Sequence, residues 1–168
     1  AMSLSSLNKI TEKACTFRCH LSGQKHELTP EFSMEIQYKL DTDITMALDE
    51  CVRQPADYKY TKRALERSLR WAQRSKNAFV KRDGYGLYGI VQGGAERDLR
   101  TTSIEGLKKI GFDGYAIGGD LSINDGWELM FSVLDYLTPM MPEDKPRYLM
   151  GVGSPDDLIE GVIRGVDM

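Results

Sequence analysis

The sequence predicts an α/β fold built on a parallel sheet. Three observations carry that reading. From residue 29 onward, short apolar runs alternate with amphipathic stretches of helical length. Each apolar run ends in Gly, Asp or Gln and leads into a helix-like stretch, not into a hairpin turn. The chain has 168 residues, of which 41% are hydrophobic and 28% charged, the balance of one globular domain spanning 1–168. A complete (β/α)8 barrel uses about 250 residues, so this chain holds at most part of one.

The N-terminal part differs from the rest. Cys15-Thr16-Phe17-Arg18-Cys19-His20-Leu21 alternates apolar and polar residues like a strand. Ser22 to Lys25 reads as a turn, and His26-Glu27-Leu28 returns, giving a β-hairpin. Thr29-Pro30-Glu31 is an N-cap, a Pro at the first helical position and an acidic first turn. The helix it opens carries Phe32, Ile36 and Leu40 on one face. Ile44 to Leu48 is a short buried strand ending in Asp49-Glu50-Cys51. A loop with Pro55 leads to a long helix from about Tyr60 to Phe79. Its apolar stripe is Ala64, Leu65, Leu69, Trp71, Ala72 and Phe79, and its other face is Lys and Arg.

Gly86 to Val91 is the next strand, ending in Gln92-Gly93-Gly94. A helix with Leu99, Ile104, Leu107 and Ile110 inward follows. Gly114 to Ile117 is a strand ending in Gly118-Gly119, and Asp125 to Leu137 a helix stopped by Pro139 and Pro142. Arg147 to Met150 is a strand ending in Gly151-Val152-Gly153. Ser154 caps the next helix, Pro155 begins it, and Asp156 and Asp157 suit its positive end. Val166-Asp167-Met168 reads as the opening of a further strand. This makes about four βα units after an N-terminal hairpin, with no internal sequence repeat of the solenoid kind.

Composition narrows the function classes. No apolar run approaches the ~20 residues of a membrane span, and Ala-Met-Ser-Leu-Ser-Ser at the start lacks the blocks of a signal peptide. A cytoplasmic protein without membrane contact is expected. The net charge of −3 is not that of a dedicated nucleic-acid module, so any such contact needs a local patch or residues outside this chain. The three cysteines, Cys15, Cys19 and Cys51, do not make a disulfide scaffold. Cys15 and Cys19 with His20 and His26 bring a metal to mind. In a strand, however, the two sulfurs would sit ~13 Å apart, whereas zinc ligands lie within ~2.3 Å of one ion. No metal is expected here.

In parallel α/β folds, ligands bind at the carboxyl ends of the strands. Those ends bring together one carboxylate, Asp49, one amide, Gln92, and the glycine pairs Gly93-Gly94, Gly118-Gly119 and Gly151-Val152-Gly153. A carboxylate accepts two N–H groups side by side, and a Gln side chain offers both a donor and an acceptor. Glycines let backbone N–H groups approach a flat ligand. The set suits a planar heterocycle with an amidine edge and a carbonyl, such as guanine. Plainer readings stand beside it: Asp49 as the cap of the segment after it, the glycines as turn residues, and Met150 as core. Gly151 to Ser154 before a helix also suggests a phosphate site, but Asp156 and Asp157 oppose a buried anion there. Neither nucleotide-binding glycine pattern is present.

Several blocks together resemble the bacterial-type tRNA-guanine transglycosylases, in order and nearly end to end. They are Lys9-Ile10-Thr11-Glu12, Thr16-Phe17-Arg18, Met46-Ala47-Leu48-Asp49-Glu50-Cys51 and Glu66-Arg67-Ser68-Leu69-Arg70-Trp71-Ala72. Then come Gly89-Ile90-Val91-Gln92-Gly93-Gly94, Gly111 through Gly119, and Asp144 through Gly153. The resemblance implies a partial (β/α)8 TIM barrel and a glycosyltransferase of queuosine biosynthesis. That family exchanges guanine at the tRNA wobble position for a 7-deazaguanine base. On this basis Asp49 binds the N–H edge of the base, Gln92 with Gly118 and Gly119 binds its carbonyl, Cys51 sits on the pocket wall, and Tyr148 and Met150 line and cover the base. Gly151, Val152, Gly153, Ser154, Pro155, Asp156 and Asp157 match a segment that touches tRNA.

The implied chemistry is a covalent exchange. An aspartate attacks the ribose anomeric carbon, guanine leaves, and the incoming base displaces the enzyme, while a second aspartate shuttles protons. The family nucleophile follows the Asp-Met that matches Asp167-Met168, so it is expected just beyond Met168. The shuttling aspartate is expected upstream, and a structural zinc subdomain downstream. No catalytic residue, metal ligand or cofactor is therefore expected in this chain. Expected partners are tRNA and a guanine or 7-deazaguanine base, with homodimerisation of the complete enzyme. This chain alone is expected to be inactive, and a non-catalytic base-binding or assembly partner of an intact transglycosylase subunit is the competing expectation. Asp120 to Asp125 departs from the family pattern after Gly119, and Ser154 replaces a common Lys.

Overall fold

The computed structural model describes residues 8–119 and 126–168. Three antiparallel strands come first: β1 (Asn8–Ile10), β2 (Cys15–Arg18) and β3 (Lys25–Leu28), in that spatial order. Helix α1 (Pro30–Lys39) leads into four parallel strands, β4 (Ile44–Met46), β5 (Gly86–Val91), β6 (Gly114–Ile117) and β7 (Arg147–Leu149), which lie side by side in sequence order. They are joined through α2 (Tyr58–Ala78), α3 (Arg97–Ile110) and α4 (Gly126–Leu137), and α5 (Pro155–Ile163) follows β7. Among the described residues this is a mixed α/β architecture with a parallel four-stranded sheet and five α-helices, the pattern read from the sequence. The predicted start of α4 at Asp125 lies outside the described residues.

The main core lies between sheet and helices. Leu87 and Val91 of β5 pack with Ile104 and Leu107 of α3 and with Met130 and Leu134 of α4. Successive side chains of a strand point to opposite faces, so Tyr88, Ile90 and Gln92 face away from the helices. Each helix packs on the next, α1 on α2, α2 on α3, α3 on α4 and α4 on α5. Val166 to Met168 lies along β7: the Asp167 amide donates to Arg147 O at 2.9 Å and the Leu149 amide donates to Met168 O at 2.8 Å. The expected extension of the sheet is present as paired backbone.

Two N-terminal expectations need correction. The hairpin is a three-stranded sheet, because Asn8–Ile10 pairs with Cys15–Phe17. Three residues without a turn signal are too short to show an alternation. Strand β2 also stops at Arg18 and not at Leu21, because the Cys19 amide turns to Gln24 O at 2.8 Å and the Gly23 amide to Cys19 O at 2.8 Å.

The inward face of α1 is also different. Pro30 and Met34 are buried, whereas Phe32 and Leu40 are 43% and 69% exposed. Gln37 explains the rotation. Its Nε2 donates to Met46 O at 3.0 Å, and its Oε1 accepts the Met46 amide at 2.8 Å. The polar side chain thus satisfies the backbone at the outer edge of β4, which an apolar residue could not do.

The N-terminal sheet is fastened to α2. Trp71, fully buried, packs with Cys15 and Leu48, and Ile10, Phe17 and Leu28 pack around them. Arg70 makes a two-pronged contact with Glu12, and Arg74 grips Glu31 with two bonds of 2.7 Å. The Arg74 hydrogen bond lowers the Glu31 pKa to about 2. A depressed carboxylate contributes stability above its unfolded pKa and loses it as pH falls through the folded value. The Glu31→Gln variant should therefore be less stable than wild type by up to ~1 kcal/mol at pH 7, since the pair is half exposed. The gap should close between pH 5 and 2 when urea midpoints are compared; a gap independent of pH would contradict this assignment.

Candidate functional site at the strand ends

The loop after β4, residues 47–51, is pinned from the outside. The Leu48 amide donates to Ser75 Oγ at 3.3 Å and the Glu50 amide to Ser68 Oγ at 2.9 Å, both serines projecting from the buried face of α2. One strand over, the Gln92 amide donates to Ser103 Oγ of α3 at 3.1 Å. Three buried hydroxyls thus replace ladder partners where the strands run out. Glu50, 1% exposed, accepts from Tyr60 Oη at 3.0 Å and pairs with Arg67. Its burial fixes the neighbouring Asp49 on the other side of the chain.

Asp49 and Gln92 meet. Gln92 Nε2 donates to Asp49 Oδ2 at 2.5 Å. Burial pushes the Asp49 pKa up to about 6, against the opposing effect of the Gln92 bond. The residue surface is nevertheless partly open, so the carboxylate is desolvated yet reachable. Gly118 and Gly119 close the arrangement. A Cβ on Gly118 would lie 2.8 Å from Gln92 Nε2, and one on Gly119 would lie 2.6 Å from Arg100 Nη2. Gly119 also has φ 106°, where side chains are strained. Both positions need glycine because buried polar groups stand against them.

The structure brings Asp49, Gln92, Gly118 and Gly119 together, as the strand-end argument predicts. Cys51 is exposed, two residues past Asp49. Tyr148 and Met150 are half-buried at the end of β7, two strands from Gln92. The Met150 amide continues the ladder to Ile117 O at 3.2 Å. Among the described residues no hydrogen bond links them to Asp49. In the 151–157 segment, Ser154 and Asp157 form a reciprocal capping box on α5, so Asp157 has a structural partner. Gly151 and Gly153 face open space. Asp156 and Pro155 are exposed.

Sequence reasoning passed over Glu50, Arg100 and the three serines. The signal was a polar residue inside an apolar helical stripe: Ser68 and Ser75 share a face with Trp71, and Arg100 lies one turn before Ile104. The Lys and Arg face read for α2 begins as a basic strip beside the site. Arg53, Lys59, Lys62 and Arg63 are exposed at the start of α2. They form no ion pair among the described residues, while Arg67, Arg70 and Arg74 further along are all paired. The first turn of α2 carries no acidic residue, so this placement works against the helix dipole. The same stretch is tied to the site through Tyr60 and Glu50.

No group of three or more potential metal ligands occurs among the described residues. Cys15 is buried in the N-terminal core and Cys19 lies beyond the end of β2, so these residues do not fit a zinc ion. No described helix is long and apolar enough to cross a membrane. A depression of about 600 Å³, lined by Asp135, Glu143, Arg147 and Arg164 among others, lies at the opposite end of β7 and contains none of the site residues.

A profile described as "TGT: Queuine tRNA-ribosyltransferase" matches residues 1–168. A queuine tRNA-ribosyltransferase of Rickettsia typhi is 54% identical over 167 residues, 99% of this chain and 46% of the relative. Those of Ruegeria sp. strain TM1040 and Halothermothrix orenii are each 56% identical, over 99% of this chain and 44% of the relative. The chain spans less than half the length of these relatives. With a match over its whole length and identities above one half, the chain belongs to the queuine tRNA-ribosyltransferase family of tRNA-modifying transferases.

Proposed function

We propose that this chain is the base-recognition part of a tRNA-guanine transglycosylase barrel. The reaction is exchange of guanine at the wobble position for a 7-deazaguanine base. The supporting observation is the Asp49–Gln92 contact beneath Gly118 and Gly119. A lactam-amidine base is complementary to it. Asp49 accepts from the ring N–H and the exocyclic amine, while the second Nε2 hydrogen of Gln92 and the Gly119 amide donate to the carbonyl. Tyr148 and Met150 supply cover from β7. The attacking carboxylate, the proton-shuttling aspartate and the structural zinc belong to parts of the enzyme other than these residues, and dimerisation to the complete enzyme.

Calorimetric titration of the chain with guanine tests this reading. Saturable one-to-one binding with adenine excluded is the expected result; no binding, or equal binding of adenine, would refute it.

The tRNA reading draws on the strip Arg53, Lys59, Lys62 and Arg63, which forms no ion pair among the described residues, and on residues 151–157, a loop and the first turn of α5. Charge reversal at Lys62 and Arg63 together should weaken tRNA binding and flatten its dependence on log salt by about 0.7 per lost phosphate contact, the single-strand value, with guanine affinity unchanged. An unaltered salt slope in filter binding would remove the strip from the tRNA surface.

A further inference from the structure

Arg100 is the one arginine of the described chain that is fully buried, at 0% exposure. It enters no ion pair with a carboxylate among the described residues. Its Nε donates to Gly94 O at 2.6 Å, and Nη1 approaches Val91 O at 3.5 Å. Nη2 is buried and has no hydrogen-bond partner. Burial lowers its pKa to about 10, which still leaves the guanidinium charged at neutral pH. A buried cation with an unused donor is costly, and the fold retains it between two loops of the candidate pocket.

Its placement is specific. The side chain leaves the first turns of α3 and passes under Gly93, where a Cβ would meet Arg100 Cγ at 2.9 Å. It ends against Gly119. From the position a Gly119 Cβ would take, Arg100 Nη2 is 2.6 Å away and Gln92 Oε1 3.7 Å away. The guanidinium and the amide oxygen of Gln92 therefore lie on the same side of Gly119. The amide nitrogen of Gln92 faces Asp49.

We propose that Arg100 is a positioning residue that makes the Gln92–Gly119 side of the pocket select a carbonyl. The inference rests on the base-pocket reading above. An uncompensated cation beside Gln92 Oε1 favours the amide orientation that keeps oxygen toward Arg100 and the two Nε2 hydrogens toward the pocket. The reversed amide would press its NH2 group against the guanidinium and offer the ligand an acceptor. The same cation, bound to the carbonyls of Gly94 and Val91, holds the end of β5 on α3 and leaves its Nη2 against Gly119. Arg100 thus sets the polarity of one pole of the site without touching the ligand.

The probe pair is guanine and 6-thioguanine. Both keep the ring N–H and exocyclic amine that Asp49 reads; only the acceptor at the other pole changes. Wild type should prefer guanine by about tenfold, the scale of one good hydrogen bond. Arg100→Met keeps a long side chain but removes the charge and should bring the two affinities within about twofold. A purely structural role would weaken both ligands alike and leave the ratio intact, and that result overturns the proposal. If Arg100→Met does not fold, wild type labelled with ¹⁵N-arginine decides. Guanine should slow exchange of one set of Nη protons more than 6-thioguanine does, and equal effects overturn the proposal. Wild type that binds neither base refutes the base pocket itself, and this inference with it. Wild type that binds both equally refutes carbonyl selection alone.

Discussion

Replacing Asp49 with asparagine is expected to weaken guanine binding about 10- to 100-fold and, at the same time, to stabilise the protein. The binding loss follows from giving up an ionised acceptor that can serve two donors, worth roughly 1.5–3 kcal/mol for a charged hydrogen-bonding group. The gain in stability follows from the environment of Asp49. Burial raises its pKa from the usual carboxylate range to about 6. Between pH 4 and 6 the folded state then holds a proton that the unfolded state has released, so stability falls as pH rises through that window and levels off above it. Above pH 6 the folded protein carries a desolvated charge that the asparagine variant lacks. The gain should be on the order of 1–3 kcal/mol at pH 8, nearer the lower figure because the residue remains partly open to water. It should vanish at pH 4. Guanidinium unfolding of both proteins at the two pH values measures it directly. Wild-type affinity for guanine should drop below pH 6 with the carboxylate, and the variant's weak affinity should be flat. Equal stability of the two proteins at pH 8 would mean that Asp49 is not desolvated, and a pH-dependent variant would mean that another group titrates.

This opposition of stability and binding also shows which parts of the molecule could be read in the sequence. Strands β5 and β6 have the bounds expected from the apolar runs Gly86–Val91 and Gly114–Ile117, because a buried parallel strand flanked by glycine is a local signal. The caps Thr29 and Ser154 were likewise legible, since a cap needs only its own next three residues. The meeting of Asp49, Gln92, Gly118 and Gly119 followed from one topological rule about strand ends. Other features depend on partners far along the chain. Nothing near Phe32 shows that Gln37 will turn α1 to serve the edge of β4. Nothing near Arg100 shows that its far end will reach Gly119. Ser68, Ser75 and Ser103 interrupt apolar stripes, yet they satisfy the amides of Glu50, Leu48 and Gln92. Buried polar groups are where periodicity says least, because their sense depends on a partner and not on a face.

Truncating Trp71 to alanine is expected to cost about 3–5 kcal/mol, the range for removing a fully buried aromatic side chain. The indole is 0% exposed and its Nε1 donates to Glu12 O at 2.7 Å. It is also the centre of the small core that joins the N-terminal sheet to α2. Among the described residues the sheet pairs within β1 to β3 alone, and its other fastenings to α2 include exposed arginine pairs such as Arg70 with Glu12, which contribute little. The damage should therefore be local before it is global. Amides of residues 8–28 should lose hydrogen-exchange protection by several orders of magnitude in Trp71→Ala, while β5 and β6 lose only what the global drop requires. Leu48 belongs to the same cluster and directly precedes Asp49, so guanine affinity should fall as well, through a loosened loop and not through a lost contact. Trp71→Phe separates the two effects. It keeps most of the buried volume and gives up the indole hydrogen bond, at ~1 kcal/mol. It should leave Leu48 packed and guanine affinity near that of wild type. A Phe variant that binds guanine as poorly as the Ala variant would show that the N-terminal sheet reaches the pocket through the Glu12 carbonyl, and not through the packing of Leu48.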